Sequence, residues 1–147
     1  MNRTRSGEIT TNLILAVFRV NGLLLAAGDR LTRELRLTSA RWQVMGTLDG
    51  NALTATQIAR EMGLKRQSVQ RLVDVLAEEG IVAFEPNPLH RRAKLIRLTE
   101  LGKHKYEQIS QIQARWVNDL SRGLDPARLE STIELLRDIE QRLQQET

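Results

Sequence analysis

Nine polar side chains in two short stretches carry the chemistry this sequence can offer. Lys65, Arg66, Gln67, Ser68, Gln70 and Arg71 crowd one of them; Arg91, Arg92 and Lys94 occupy the other. Neither stretch holds a nucleophile beside a base, or a set of metal ligands. Both present guanidinium, ammonium and amide groups, which recognise by geometry and charge. Arginine matches the O6/N7 edge of guanine, glutamine matches the N6/N7 edge of adenine, and both cations match phosphate. The acids of the first stretch, Asp74, Glu78 and Glu79, come only after its bases. A helix dipole favours the reverse order, so the early end is built to meet negative charge. Taken alone, the same residues would also suit a solvated amphipathic helix.

The elements that must position these residues can be read from spacing. The segment from Thr54 to Gly80 has two helices and a tight turn. Thr54 and Gln57 are spaced as a capping box, and Ile58, Ala59 and Met62 form a short apolar face. Gly63 ends the first helix, because glycine takes the left-handed conformation without a Cβ clash. Leu64 is expected to fill the corner. The second helix is expected from about Lys65 to Glu79, with Val69, Leu72, Val73 and Leu76 on its buried face. This is a helix-turn-helix, whose second helix offers its N-terminal end to a DNA major groove. After Gly80 the period changes. Ile81–Glu85 has strand composition, Pro86-Asn87-Pro88 forces a turn, and 93–98 alternates toward a second strand. Such a hairpin is marginal alone and must lean on the helices as a wing, with His90, Arg91 and Arg92 near its tip.

Long helices flank this unit. The first is expected from Glu8 or Ile9 to about Leu35, bent near Gly28, with Leu13, Ile14, Val17, Phe18, Leu24, Leu25 and Leu31 apolar around much of its circumference. A helix apolar on more than one side needs more than one cover, and a second subunit is a candidate for the other side. Thr38 or Ser39 caps a shorter helix carrying Trp42, Val44, Met45 and Leu48. Thr99 caps a helix reaching Gly123, with Gly102 an awkward early guest, and Asp125-Pro126 opens the last helix. The fold class is therefore mainly α with a small β-wing: a single domain over 1–147, with a winged helix-turn-helix at about 38–99 between helices at about 8–36 and 100–147.

Composition narrows the function. The 147 residues carry a formal net charge of +4, a mild basic bias compatible with nucleic acid. With no cysteine, disulfides, thiolate metal sites and thiol chemistry are excluded; two histidines are thin for a metal centre. No cofactor or metal is expected. The sequence has no P-loop, nucleophile elbow, zinc-protease or dinucleotide fingerprint, so an enzyme is not expected. The apolar run near the start contains Arg19 and Asn21 and reads as shorter than the roughly 20 residues a bilayer requires, which implies a cytoplasmic protein with no membrane partner.

The segment from Leu64 to Lys103 resembles the MarR family of winged-helix transcription regulators. The resemblance rests on the Val-x-Arg-Leu-Val-Asp-x-Leu core at Val69 to Leu76, on Glu79-Gly80, on Arg92 in the wing, and on Leu98-Thr99 with Gly102; upstream, Leu37, Thr38, Arg41, Trp42 and Val44 also fit. His90 stands where the family's wing usually has an aspartate that orients the arginine. The resemblance implies a DNA-binding transcriptional regulator, expected here to be a repressor. It implies a homodimer on double-stranded DNA, with two recognition helices in successive major grooves of a pseudo-palindromic operator. On this reading Lys65, Arg66, Gln67, Ser68, Gln70 and Arg71 face the major groove, Arg92 enters the minor groove, and Arg91 and Lys94 bind the flanking backbone. It further implies a pocket for a small anionic or phenolic ligand, lined by some of Phe18, Arg41, Trp42, Met45, Tyr106 and Ile109, with Arg41 as carboxylate partner. Those six residues also fit plain core or dimer packing. The alternative is a dimerisation or adaptor module that kept the winged fold without binding DNA.

Overall fold

A computed structural model describes residues 1–146. The elements in order are α1 (Arg5–Thr32), a 3-10 turn (Arg33–Leu35), α2 (Ser39–Thr47), α3 (Ala55–Met62), α4 (Arg66–Glu78), β1 (Val82–Glu85), β2 (Leu95–Leu98), α5 (Glu100–Leu120) and α6 (Pro126–Gln145). The fold is mainly helical with one small antiparallel sheet, as the sequence pattern requires. Contacts divide the chain into two compact units, one ending at Ile112 and one from Gln113 onward.

The core of the first unit gathers the apolar faces of α2, α3, α4, the hairpin and α5. Val44, Met45, Ile58, Val69, Val73, Leu76, Ile81 and Ile109 have no exposed surface. The helix-turn-helix is set by local chemistry. Thr54 and Gln57 form the reciprocal capping box, and Gly63 has φ 65°. The Leu64 amide donates to the Ala59 carbonyl at 3.0 Å and the Gly63 amide to Arg60 at 3.4 Å, the two bonds of a Schellman motif. Leu64 itself is exposed rather than filling the corner. Backbone hydrogen bonds close this turn, so no side chain is needed inside it.

The hairpin pairs Val82 with Leu98, Ala83 with Arg97, Phe84 with Ile96 and Glu85 with Leu95. Two features fasten it to the helices. Leu53, just before α3, exchanges two backbone hydrogen bonds with Ile96, at 3.1 and 2.7 Å, and so acts as a short third strand. At the other end, the Thr99 hydroxyl bonds the carbonyls of Gly80 and Ile81 and accepts from the Gly102 amide. A Cβ on Gly102 would lie 2.1 Å from the Ile81 carbonyl oxygen. Glycine is required there because α5 starts against the backbone entering β1.

Helix α1 departs from expectation at both ends. It begins at Arg5, capped by Thr4, and runs 28 residues to Thr32 before the 3-10 turn. It continues through Gly28, whose role is close packing: a Cβ there would meet the Ser39 hydroxyl at 2.6 Å. Asp29 accepts a hydrogen bond from the Ser39 amide on the same contact. The expectation that the apolar run is too short for a bilayer is also corrected. At 28 residues α1 is roughly 42 Å long, and its segment is long and apolar enough to cross a membrane by length and composition. Its apolar residues are uncovered in the protomer: Ile9, Ile14, Phe18, Leu23 and Leu24 are all exposed. In α6, likewise, no described residue is buried, and Leu129, Ile133, Leu136 and Leu143 are exposed.

Candidate nucleic-acid interface

Helix α4 starts one residue later than spacing alone indicates. Lys65 is its N-cap, with the extended φ −75° and ψ 143° of a cap, but its side chain makes no capping hydrogen bond. Every other α-helix has one: Thr4, Thr38, Thr54, Thr99 and Asp125 each accept from a first-turn amide. The N–H groups of Arg66, Gln67 and Ser68 therefore have no partner among the described residues, and the first turn of α4 contains no acid. Lys65, Arg66, Gln67, Ser68 and Arg71 are exposed around that end, while Val69, Val73 and Leu76 hold the opposite face in the core. Free amides, the positive end of the dipole and three cations together make an anion-binding end.

The fold joins this end to the wing. Arg66 and Gln70 of α4 share one open groove of about 150 Å³ with Arg92 and Lys94 of the hairpin. Thr54 and Thr56, at the start of α3, line the same groove, as do Phe84 and Ile96. Sequence spacing marks Thr54 only as a cap; that it borders the groove follows from the Leu53–Ile96 bridge, which draws the start of α3 against the hairpin. Arg91 and Lys94 line a second hollow of about 300 Å³ on the wing, with Phe84, Glu85, Pro86 and Asn87. The Lys94 ammonium sits 5.9 Å from the centre of the Phe84 ring. Arg97 pairs with Glu85 across the hairpin. Arg91 and Arg92 are exposed and, among the described residues, neither has a carboxylate partner; His90 beside them is exposed as well. Gln70 is half-buried, and its amide nitrogen donates to Asp74 at 2.9 Å.

Of the six residues expected around a ligand pocket, Met45, Ile109, Trp42 and Tyr106 meet in or against one core cluster. Met45 and Ile109 are sealed in the core of the protomer. Trp42 and Tyr106 are partly buried and pack against that core. Burial, and then the Asp49 carboxylate, raise the Tyr106 phenol above its ordinary value. Arg41 is ion-paired, 3.3 Å from Glu79 just beyond the C-terminal end of α4. Phe18 stands exposed on α1. No group of three or more histidine, aspartate or glutamate side chains suited to a metal occurs among the described residues.

A helix-turn-helix whose uncapped second helix shares a basic groove with a β-hairpin defines a winged-helix protein. A sequence model of the MarR family matches residues 37–93, the stretch that builds this surface. An uncharacterized protein of Mycobacterium tuberculosis is 36% identical over 132 residues, spanning 90% of this chain and 92% of its own. The transcriptional activatory protein BadR of Rhodopseudomonas palustris is 27% identical over 112 residues, covering 74% of this chain and 64% of its own. Among solved structures, the repressor CouR bound to a 23-mer DNA duplex superposes with a TM-score of 0.78 at 23% identity, covering 95% of this chain and 99% of that one. CouR of Rhodococcus jostii RHA1 has also been solved with p-coumaroyl-CoA. The chain belongs to the MarR family of transcriptional regulators.

Proposed function

We propose that this regulator is a repressor that acts in the cytoplasm as a homodimer on a pseudo-palindromic operator. The observation that carries the reading is the shared groove: the free N-terminal end of α4 and the unpaired Arg92 of the wing border one surface. In a duplex that surface fits α4 in the major groove, with Lys65, Arg66, Gln67, Ser68, Gln70 and Arg71 toward bases and phosphates. Arg92 then reaches the minor groove, and Arg91 and Lys94 the neighbouring backbone. The uncovered apolar face of α1 supports the dimer. Arg19 and Asn21 within that helix favour a protein cover over a lipid one, because a charge at bilayer depth is costly. The relatives differ in sign, one named an activator and one a repressor. Repression is the simpler consequence of a dimer occupying promoter DNA.

A small anionic or phenolic ligand is the proposed effector, with Arg41 its carboxylate partner and Trp42 and Tyr106 beside it. Arg41 already holds Glu79 at the end of α4, so a carboxylate that captured Arg41 would disturb the seat of the recognition helix. The test of the whole reading is selection of bound duplexes from a random pool. Enrichment of an inverted repeat with half-sites about one helical turn apart is expected. Recovery of unenriched sequences, with binding indifferent to salt, would leave only an adaptor without DNA contacts.

A further inference from the structure

The crown of the hairpin holds an apolar side chain out into solvent. Leu89 is 84% exposed, more than any other large apolar residue of the described chain except Met1. Strand β1 ends at Glu85 and β2 begins at Leu95, so Leu89 lies near the middle of the loop between them. Pro86 and Pro88 fix two φ angles just before it. The side-chain oxygen of Asn87 accepts from the Leu89 amide at 3.0 Å, an Asx turn that sets the loop's direction at this residue. His90, Arg91 and Arg92 follow directly and are exposed as well. Arg92 also borders the groove shared with α4, so the crown continues the surface assigned to DNA. A leucine carried among cations suits a partner that is anionic at its rim and less polar within. A DNA minor groove is such a partner, with phosphates along its edges and sugars as its walls. We propose that Leu89 packs on the floor of the minor groove assigned to Arg92 and rejects guanine there, so that the wing reads A·T pairs by the group they lack.

The chemistry gives this choice content. In the minor groove A·T and T·A both present only acceptors, N3 of adenine and O2 of thymine, whereas G·C adds the 2-amino group of guanine. That amine stands up from the floor and needs an acceptor. Leucine has none, and arginine only donates. Over A·T the guanidinium of Arg92 can serve the acceptors while Leu89 covers the adjoining floor and sugar wall. Over G·C the same leucine meets the amine, takes its water and returns no hydrogen bond, which is the costly case. Apolar wedges at minor-groove floors, leucine among them, are a known means of reading DNA. His90 could offer one acceptor nitrogen, and its use would reverse the preference toward guanine.

The inference rests on the proposed DNA function and can fail separately from it. The experiment titrates the full-length chain, Leu89→Ala and Arg92→Ala on the operator selected from a random duplex pool. Each minor-groove position flanking the half-sites is set in turn to A·T, G·C, inosine·C and 2,6-diaminopurine·T. Inosine·C is a G·C pair without the 2-amino group, and diaminopurine·T is an A·T pair that carries it. At the position under Leu89 the wild type should bind inosine·C as it binds A·T. It should lose about tenfold on G·C and on diaminopurine·T, the low end of the cost of one wrong base pair. Leu89→Ala should bind all four alike, and Arg92→Ala should bind all four more weakly in the wild-type order. A wild type that tolerates diaminopurine at every flanking position, or prefers guanine, overturns the inference while leaving the proposed function intact. So does a Leu89→Ala variant that keeps the full penalty. A Leu89→Ala variant that keeps the base profile and instead alters the sedimentation of the free protein would assign Leu89 to a protein contact, which also overturns it. If the wild type enriches no sequence, the DNA reading itself has failed, and this inference with it. Leu89 lies outside the core cluster, so its truncation removes no core contact; equal far-ultraviolet dichroism of the three proteins establishes that the fold is retained.

Discussion

Capping α4 should stabilise the protein and weaken its hold on DNA. Lys65 already has the extended backbone of an N-cap residue and lacks only a side chain that accepts. Serine at that position can accept from the amide of Gln67 or Ser68, satisfying one of the free N–H groups. Relative to Lys65→Ala, which removes the charge without adding a cap, Lys65→Ser should gain about 1 kcal/mol, within the roughly 0.5–2 kcal/mol range of N-caps. Both variants also lose a cation from the positive end of the dipole, a gain of roughly 0.3–1 kcal/mol at low salt. Urea unfolding at one fixed protein concentration reads these differences; the concentration is held because a dimer's stability depends on it. DNA titration across a salt series reads the other half. Both variants should flatten the salt dependence by about one phosphate contact. Lys65→Ser should bind more weakly than Lys65→Ala, because its occupied amide can no longer face a phosphate or base. If the serine variant is more stable yet binds DNA as well as the alanine variant, the bare helix end has no part in binding. If it is no more stable than alanine, the cap geometry is misjudged.

Other consequences are more direct. Arg92→Ala should cost about 1–3 kcal/mol of DNA binding and flatten the salt slope by about one; normal binding at all salt concentrations would remove the wing from the interface. Gly102→Ala should destabilise by more than about 1–3 kcal/mol, the ordinary range for overpacking, because its Cβ meets rigid backbone at Ile81; a wild-type urea midpoint would refute the close approach. Tyr106 is the single tyrosine, so phenolate absorbance reports it alone, and its midpoint should lie above the ordinary 10.0. The sign follows: the folded state keeps its proton longer than the unfolded state, so stability is intact below pH about 10 and falls as pH rises above it. Tyr106→Phe should reduce that alkaline loss.

Local chemistry was readable from the sequence because it lies in single residues and short spacings. Thr54 with Gln57 specified the start of α3, Gly63 its end, and the 86–88 turn the break in the hairpin. What escaped depends on contacts between distant segments. Gly28 looks like a bend from its neighbours alone; only the approach of Ser39 explains it. Gly102 looks awkward in a helix until the Ile81 carbonyl is placed beside it. Leu64 is apolar in a turn, yet the backbone closes that turn without it. Apolar spacing also cannot separate a core from an interface. Met45 and Ile109 share the apolar character of Phe18, but two are sealed inside the protomer and one faces outward. At the interface itself, residue types were legible, whereas the free end of α4 emerged only when every other helix proved to be capped. The Gln70–Asp74 bond needed side-chain geometry.

The most direct test of the two-fold docking is hydroxyl-radical footprinting of the protein on its selected operator. Two recognition helices and two wings on one face of the duplex should leave two symmetric protected patches, centred about 34 Å apart, and Arg92→Ala should uncover the flanking minor-groove positions in both. A single patch, or protection unchanged by loss of Arg92, would contradict it.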